Sequence, residues 1–231
     1  MALYIPKRVV LNWYQYDVSF SAELINTFVE SIEKQASESI VNYEKTTKSD
    51  VVDGQMVYVH QGLESDTWDL ATVFGEYFPS LQRRSALLTV CSYFEHELDQ
   101  LCLLYQSEKS FRLALSDLNG KGIDRSISYL EKVAGLYVHR ASPVWKDIKN
   151  IQKIRNLIVH GGGRLRDNHG KPKTDIAGVI KQMRYLSGDD EIVLANGFLS
   201  YVVGTYRKYF ELINQSIKSA QNVPQAHSSS G

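Results

Sequence analysis

The chain has 231 residues, 43% of them hydrophobic and 23% charged, enough apolar material for one good-sized core and too much for a disordered protein. Its 26 basic and 26 acidic residues cancel, which excludes a protein that coats nucleic acid through bulk charge and makes local charge the quantity to read. No apolar run approaches the roughly 20 residues of a membrane span, and Pro6, Lys7 and Arg8 stand where a signal peptide needs its apolar centre, so a soluble, cytoplasmic protein with no membrane partner is expected.

Residues 1 to 17 are aromatic and apolar with no clear period, and give no assignment. Ser19 or Ser21 is placed to cap an amphipathic helix through Leu24, Ile25, Phe28, Ile32 and Ile40 to about Tyr43. Lys45 to Gly62 reads as a loop with a short strand at Met56 to His60, just after Asp53-Gly54. A helix from about Asp66 to Phe78 is expected to stop at Pro79, which suits the first turn of the helix that follows. That following helix, Ser80 to about Gln106, is the longest and most apolar and should centre the core. It holds both cysteines, Cys91 and Cys102; eleven residues of helix rise about 16 Å, against the ~6 Å that a disulfide spans, so both are expected as free thiols.

Asn119-Gly120-Lys121-Gly122 breaks the chain before a helix from Ile123 to about Tyr137, and Ser142-Pro143 starts the next. Gly188-Asp189-Asp190 reads as a turn, Glu191 to Leu194 as a short strand, and a final helix runs from Gly197 to about Ser219. The expectation is an all-α chain: an N-terminal helical extension over 1–77, a helical domain over 78–220 with a small hairpin or loop insertion, and a disordered tail over 221–231.

The helix that begins at Pro143 carries the most informative stretch. Val144, Trp145, Ile148, Ile151, Ile154, Leu157 and Ile158 recur at three-to-four-residue spacing, and Gly161 then ends the pattern as a C-cap glycine would. Near that end lies Arg155-Asn156-Leu-Ile-Val-His160. With 11 arginines and 6 histidines in the chain, an Arg followed by a His at this spacing is expected about once by chance, and Arg164 with His169 is a second instance, in the polar run Arg164 to Thr174. Context distinguishes the first pair. Between Lys146 and Lys173 eight basic residues face two acidic ones, a local net charge of +6 around a helix terminus.

On a helix Asn156 and His160 are one turn apart and share a face, while Arg155, rotated by about 100° from Asn156, reaches the same region through its long side chain. A guanidinium offers paired donors to phosphate oxygens and stabilises charge that builds in a pentavalent transition state. An imidazole at a helix C-terminus is a usable acid near neutral pH. Attack of a ribose 2′-OH on its own phosphate wants a base on one side and an acid on the other, so two such helices related by a twofold axis would supply both. An ordinary account fits the same residues: an arginine that is solvated or paired with a carboxylate, and a terminal histidine that only caps carbonyls.

Arg155-Asn156-Leu-Ile-Val-His160, at the end of the third of four helices, resembles the motif of the HEPN superfamily of small helical domains. The resemblance covers roughly Phe78 to Ala220 in helix order, with the six-residue core as its specific part. It implies a HEPN-like four-helix up-and-down bundle. The implied activity is a metal-independent endoribonuclease of toxin or anti-phage type, which cuts single-stranded or loop RNA by 2′-OH transesterification and needs no metal or other cofactor. Arg155, Asn156 and His160 would be catalytic, in a composite site of a homodimer, with an antitoxin or regulatory partner. Lys153, Arg164 and Arg166 are candidates for guiding the RNA backbone. Toxin members that a partner nucleotidyltransferase inactivates carry a tyrosine two residues after the histidine, where this chain has Gly162. The alternative is a non-catalytic module of the same fold that dimerises and binds a partner or nucleotide.

Other clusters carry less. Glu95, His96, Glu97 and Asp99 gather on one helix without a second histidine at metal-binding spacing, and Glu95 reads as a structural ion-pair partner or as support for the motif from a neighbouring helix. Tyr201, Tyr206 and Tyr209 fit core packing better than base stacking.

Overall fold

A computed structural model describes residues 9–52 and 54–221, and most of them are helical. The elements in order are α1 (Ser19–Thr46), β1 (Lys48–Val52), β2 (Gln55–His60), β3 (Leu63–Glu64), α2 (Leu70–Thr72), α3 (Phe78–Lys109), α4 (Gly122–Lys132), α5 (Pro143–Gly161), α6 (Thr174–Gln182), β4 (Leu186–Ser187), β5 (Val193–Leu194) and α7 (Phe198–Gln221). The tail expected over 221–231 lies outside the described residues, apart from Gln221 at the end of α7.

Several boundaries differ from the sequence expectation, each for a local reason. Neither Ser19 nor Ser21 is an N-cap, because a π-helical turn over Tyr14–Val18 leads directly into α1. Both hydroxyls instead donate one turn back, Ser19 Oγ to Gln15 O at 2.5 Å and Ser21 Oγ to Asp17 O at 2.9 Å. The buried line of α1 is Ala22, Val29 and Ala36, small residues one heptad apart, while Leu24 is 72% exposed. Pro79 does not divide two helices either. Asp69 caps α2 by accepting from the Thr72 N–H at 3.1 Å, and a second π-helical turn, Val73–Tyr77, joins α2 to α3. The wider turn makes room for the proline ring, which in a regular helix would meet the carbonyl four residues back. The division expected between residues 77 and 78 falls inside this helical run.

The loop of Lys45 to Gly62 is more ordered than expected. β1 and β2 pair antiparallel from Lys48↔Val59 to Val52↔Gln55, and β3 adds to β2 at His60↔Leu63. Gly54, at φ 78°, takes the left-handed conformation of the tight β1–β2 connection. Helix α4 stops at Lys132, short of the expected Tyr137: Gly135, at φ 68°, turns the chain so that the Leu136 N–H bonds back to Leu130 O at 2.8 Å. Helix α6, with Ile176 and Val179 buried, has no counterpart in the sequence expectation. The turn at Gly188 does, and its necessity is steric. At φ 123° a Cβ there would lie 1.9 Å from Glu191 O, so only glycine fits the turn that pairs β4 with β5.

The chain folds into two compact units, each assembled from separate segments. Among the described residues, one comprises 9–25, Cys91–Lys149 and 203–221. Its core is aromatic: Phe94 stacks on Tyr206 at 4.0 Å, Trp13 meets Phe210 edge-on at 5.5 Å, and Trp145 lies 5.2 Å from Tyr209. The Tyr209 hydroxyl donates to Val138 O at 2.7 Å, so Tyr206 and Tyr209, 2% and 0% exposed, are packing residues and cannot stack on bases. Ser126 on α4 donates to the Asp99 carboxylate on α3. Cys91 and Cys102 are free thiols; Cys102 is fully buried against Ser126 O, and burial pushes its thiol well up.

The other unit comprises Asn26–Val90 and Asn150–Val202, and two adjacent buried arginines of α3 organise it. Arg83 donates to Glu33 of α1 through Nε and Nη2, both at 2.8 Å, and through Nη1 to Leu194 O at 3.4 Å. Arg84 donates through Nε to Ile192 O at 3.0 Å, with Nη2 on the same oxygen, and through Nη1 to Glu191 Oε2 at 2.9 Å and Gly162 O at 3.3 Å. Ser80 adds a third tie by accepting from the Leu194 N–H at 3.3 Å. One face of α3 thus grips the segment that ends in β5 and, through Gly162, the chain leaving α5.

Candidate active site

The motif helix starts as its sequence demands. Ser142 Oγ accepts from the Trp145 N–H at 3.1 Å, which satisfies a donor of the first turn, and Pro143 occupies the first helical position, where no N–H is needed. Trp145, Ile148, Ile151, Ile154 and Leu157 are buried along one face, as their spacing predicts. That fixes the rotation of the helix and leaves Arg155 half-buried, with Asn156 and His160 exposed.

Arg155 Nη1 donates to Asn156 Oδ1 at 3.0 Å. A guanidinium has no acceptor, so the amide oxygen must face it, and the Asn156 NH2 is left pointing away with both its donors available. The pair therefore presents mostly donors to its surroundings, with one lone pair of Asn156 Oδ1 left over, which suits an anion. No carboxylate pairs with Arg155 among the described residues, which leaves the solvated form of the ordinary account.

The capping account of His160 does not hold. Helix α5 includes Gly161, and it is Gly162 and Gly163, at φ 59° and 84°, that reverse the chain, one residue later than expected. The Gly162 N–H bonds to Ile158 O at 3.1 Å, the Gly163 N–H to Leu157 O at 3.2 Å and the Arg164 N–H to Gly161 O at 3.0 Å. With these carbonyls served by backbone donors, the exposed imidazole has no hydrogen-bond partner among the described residues. Gly163 also has no space for a side chain, since a Cβ would sit 3.0 Å from Arg84 Nη1.

His160 lines an open groove of about 520 Å³ together with Arg164, Arg166, Asn168 and Lys173. Its far wall is a small hairpin in which Arg166 bridges Pro172 and Leu165 O accepts from the Lys173 N–H at 2.9 Å. The Asp167 carboxylate, which also lines the groove, accepts through Oδ1 from the His169 and Lys171 N–H groups at 2.8 and 2.9 Å. His169 of the second Arg–His pair thus sits in a loop, exposed. Arg164 is exposed with no side-chain partner among the described residues, whereas Arg166 donates to Asp190 Oδ1 at 3.0 Å and to Gly170 O at 3.2 Å.

Of the six residues singled out in the sequence, the groove brings together His160, Arg164 and Arg166. Lys153, Arg155 and Asn156 lie outside its lining. Two further residues bear on the site that sequence reasoning misses. Lys173 reaches across the groove floor, donating from Nζ to Arg164 O at 2.9 Å, and Arg84 anchors the chain just past the motif. An arginine pair inside an apolar helix, with no acid one turn away, is the available signal for Arg84. Nothing in the sequence marks Lys173 apart from the other lysines.

A smaller cavity of about 210 Å³ shares Arg166 and Lys173 with the groove and has both apolar lining, such as Leu165 and Ile180, and charged lining, Lys181 and Asp189. Among the described residues no three His, Cys, Asp or Glu side chains cluster as metal ligands would, and no helix is long and apolar enough to cross a membrane. Compared with protein-family models, curated proteins and solved structures, the chain gave no match.

Proposed function

We propose that this chain is a metal-independent endoribonuclease with a HEPN-like four-helix bundle, a cytoplasmic toxin or anti-phage effector that cuts single-stranded or loop RNA. The observation that supports this reading is the imidazole of His160, without a partner among the described residues, at a basic groove, with the donor-rich pair Arg155 and Asn156 on the preceding turn of the same helix. Arg164 and Lys173 would hold the RNA backbone through its phosphates. Arg155 and Asn156 would bind the non-bridging oxygens of the scissile phosphate, and His160 would move the proton. Because Arg155 and Asn156 lie outside the groove that His160 lines, one chain offers an incomplete set, and a second copy related by a twofold axis would complete it. Single-stranded RNA is the expected substrate because in-line attack needs a flexible sugar, and DNA has no 2′-OH to attack.

The same separation within one chain favours the second reading, a non-catalytic module in which Arg155 and Asn156 only recognise a phosphate. Incubation of the purified chain with tRNA and a single-stranded oligoribonucleotide in EDTA distinguishes the two. The nuclease yields 2′,3′-cyclic phosphate ends, and Arg155→Ala and His160→Ala each abolish them without changing helicity or assembly mass. Absence of cleavage selects the module, and cleavage that survives His160→Ala refutes the role given to His160.

A further inference from the structure

A second surface, on the β-meander, carries the opposite chemistry. Val51 pairs with Met56 and Ser49 with Tyr58 across β1 and β2, which puts Val51, Met56 and Tyr58 on one face of the sheet. These side chains are 65%, 63% and 47% exposed, and Trp68 is 51% exposed. Tyr58 and Trp68 line an open groove of about 500 Å³ with Tyr43, Glu44, Thr47 and Asp69. The Tyr43 ring is fixed from behind, stacked on Phe74 at 5.3 Å and edge-on to His60 at 5.2 Å. Exposed large apolar side chains grouped in this way mark interaction sites on protein surfaces.

The charge of the surface says what would occupy it. The groove is lined by two carboxylates, Glu44 and Asp69, and among the described residues by no basic side chain. Asp69 is held ionised by the hydrogen bonds it accepts from Thr72, which keep its carboxyl below the usual range. The Glu44 carboxylate has no partner among the described residues. Tyr43 and Glu44 belong to the last turn of a 28-residue helix, whose terminal carbonyls add negative potential at the same place. Carboxylates, aromatic faces and a helix C-terminus all attract cations, and all three repel phosphate. The groove is therefore no extension of an RNA path.

We infer that the meander and the end of α1 form a docking site for a basic segment of a protein partner, with an arginine side chain seated between Tyr58, Trp68 and Glu44. Apolar neighbours of that arginine pack on Val51 and Met56. The inference does not depend on whether the chain cuts RNA.

The test uses the full chain and its own fluorescence. Of the three tryptophans, Trp13 and Trp145 are buried, so quenching by acrylamide reports on Trp68. The probe is a labelled dodecapeptide of repeated Arg-Val-Gly, compared with the same peptide carrying the neutral isostere citrulline, one carrying glutamate, spermidine, and a uridine dodecanucleotide. The arginine peptide should bind saturably and shield Trp68, and citrulline should weaken binding about ten-fold, as loss of a charge-assisted hydrogen bond does. Glu44→Gln should weaken it about five-fold, and Trp68→Ala, followed by anisotropy of the label, by at least about five-fold, with the circular dichroism of both variants unchanged. The inference is overturned by absence of saturable binding, by equal binding of the citrulline or glutamate peptide, by tighter binding of spermidine or the oligonucleotide, or by indifference to both substitutions.

Discussion

Arg84 is the side chain whose removal should damage this protein most, and the reason lies in what it leaves behind. It is 5% exposed and serves three acceptors: Ile192 O, Gly162 O and Glu191 Oε2. In Arg84→Ala the buried Ile192 carbonyl loses two donors, and an unsatisfied buried acceptor costs about 1–3 kcal/mol, while the carbonyl of the exposed Gly162 can turn to water. The lost packing of the aliphatic stem adds to this, giving about 3–5 kcal/mol in all, a large part of the ~5–15 kcal/mol that holds an ordinary domain folded. The Glu191 ion pair contributes little, since that carboxylate is 40% exposed, and Glu191→Gln should cost under about 1 kcal/mol. Urea denaturation followed by circular dichroism measures both, and hydrogen exchange should show Gly163 and Ile192 losing protection first in Arg84→Ala. The reasoning fails if Arg84→Ala costs less than about 1 kcal/mol, or if Glu191→Gln costs as much as Arg84→Ala.

The remaining expectations are smaller in scope. His160→Ala should change stability by less than about 0.5 kcal/mol, because the exposed imidazole has no partner among the described residues; a larger drop in the urea midpoint would mean that the residue is structural. Gly188→Ala should destabilise by several kcal/mol through a clash at 1.9 Å and a φ of 123°, on the order of the largest backbone penalties, whereas Gly204→Ala in α7, with open space around the new methyl, should stabilise by about 0.4–1 kcal/mol. Thermal melts of the two variants should shift in opposite directions. At alkaline pH, burial pushes Tyr93 and Tyr105 up to about 12 and raises Tyr209. The unfolded chain ionises its phenols near pH 10 while the folded one keeps them neutral, so stability complete below about pH 10 is lost as pH rises toward 12. Urea midpoints measured from pH 8 to 11 should fall above pH 10, and less steeply in Tyr105→Phe.

What the sequence discloses is local. Ser142-Pro143 announces a helix because both residues act on the turn they begin, and the apolar spacing from Trp145 to Leu157 gives the buried face of α5 directly. Gly188 is legible because a glycine beside two aspartates has few other uses. What stays hidden depends on partners distant in the chain. Arg84 reaches residues 78 and 108 positions away, and no periodicity encodes such a bond. The π-helical turn before Pro79 inverts the usual meaning of proline, which ends helices of ordinary pitch. In α1 the buried line of Ala22, Val29 and Ala36 is masked by larger apolar residues beside it that are half-buried or exposed. For the candidate site, type and position of His160 and Arg155 are readable, but whether each has a partner is a question only coordinates answer.

The two arginines of α3 that hold Glu33 and Gly162 are consecutive in the chain, about 100° apart around one axis. They act as two arms of a single crank. A ligand that drew Glu33 of α1 away from α3 would therefore act on the side chain next to the one that holds the loop behind His160.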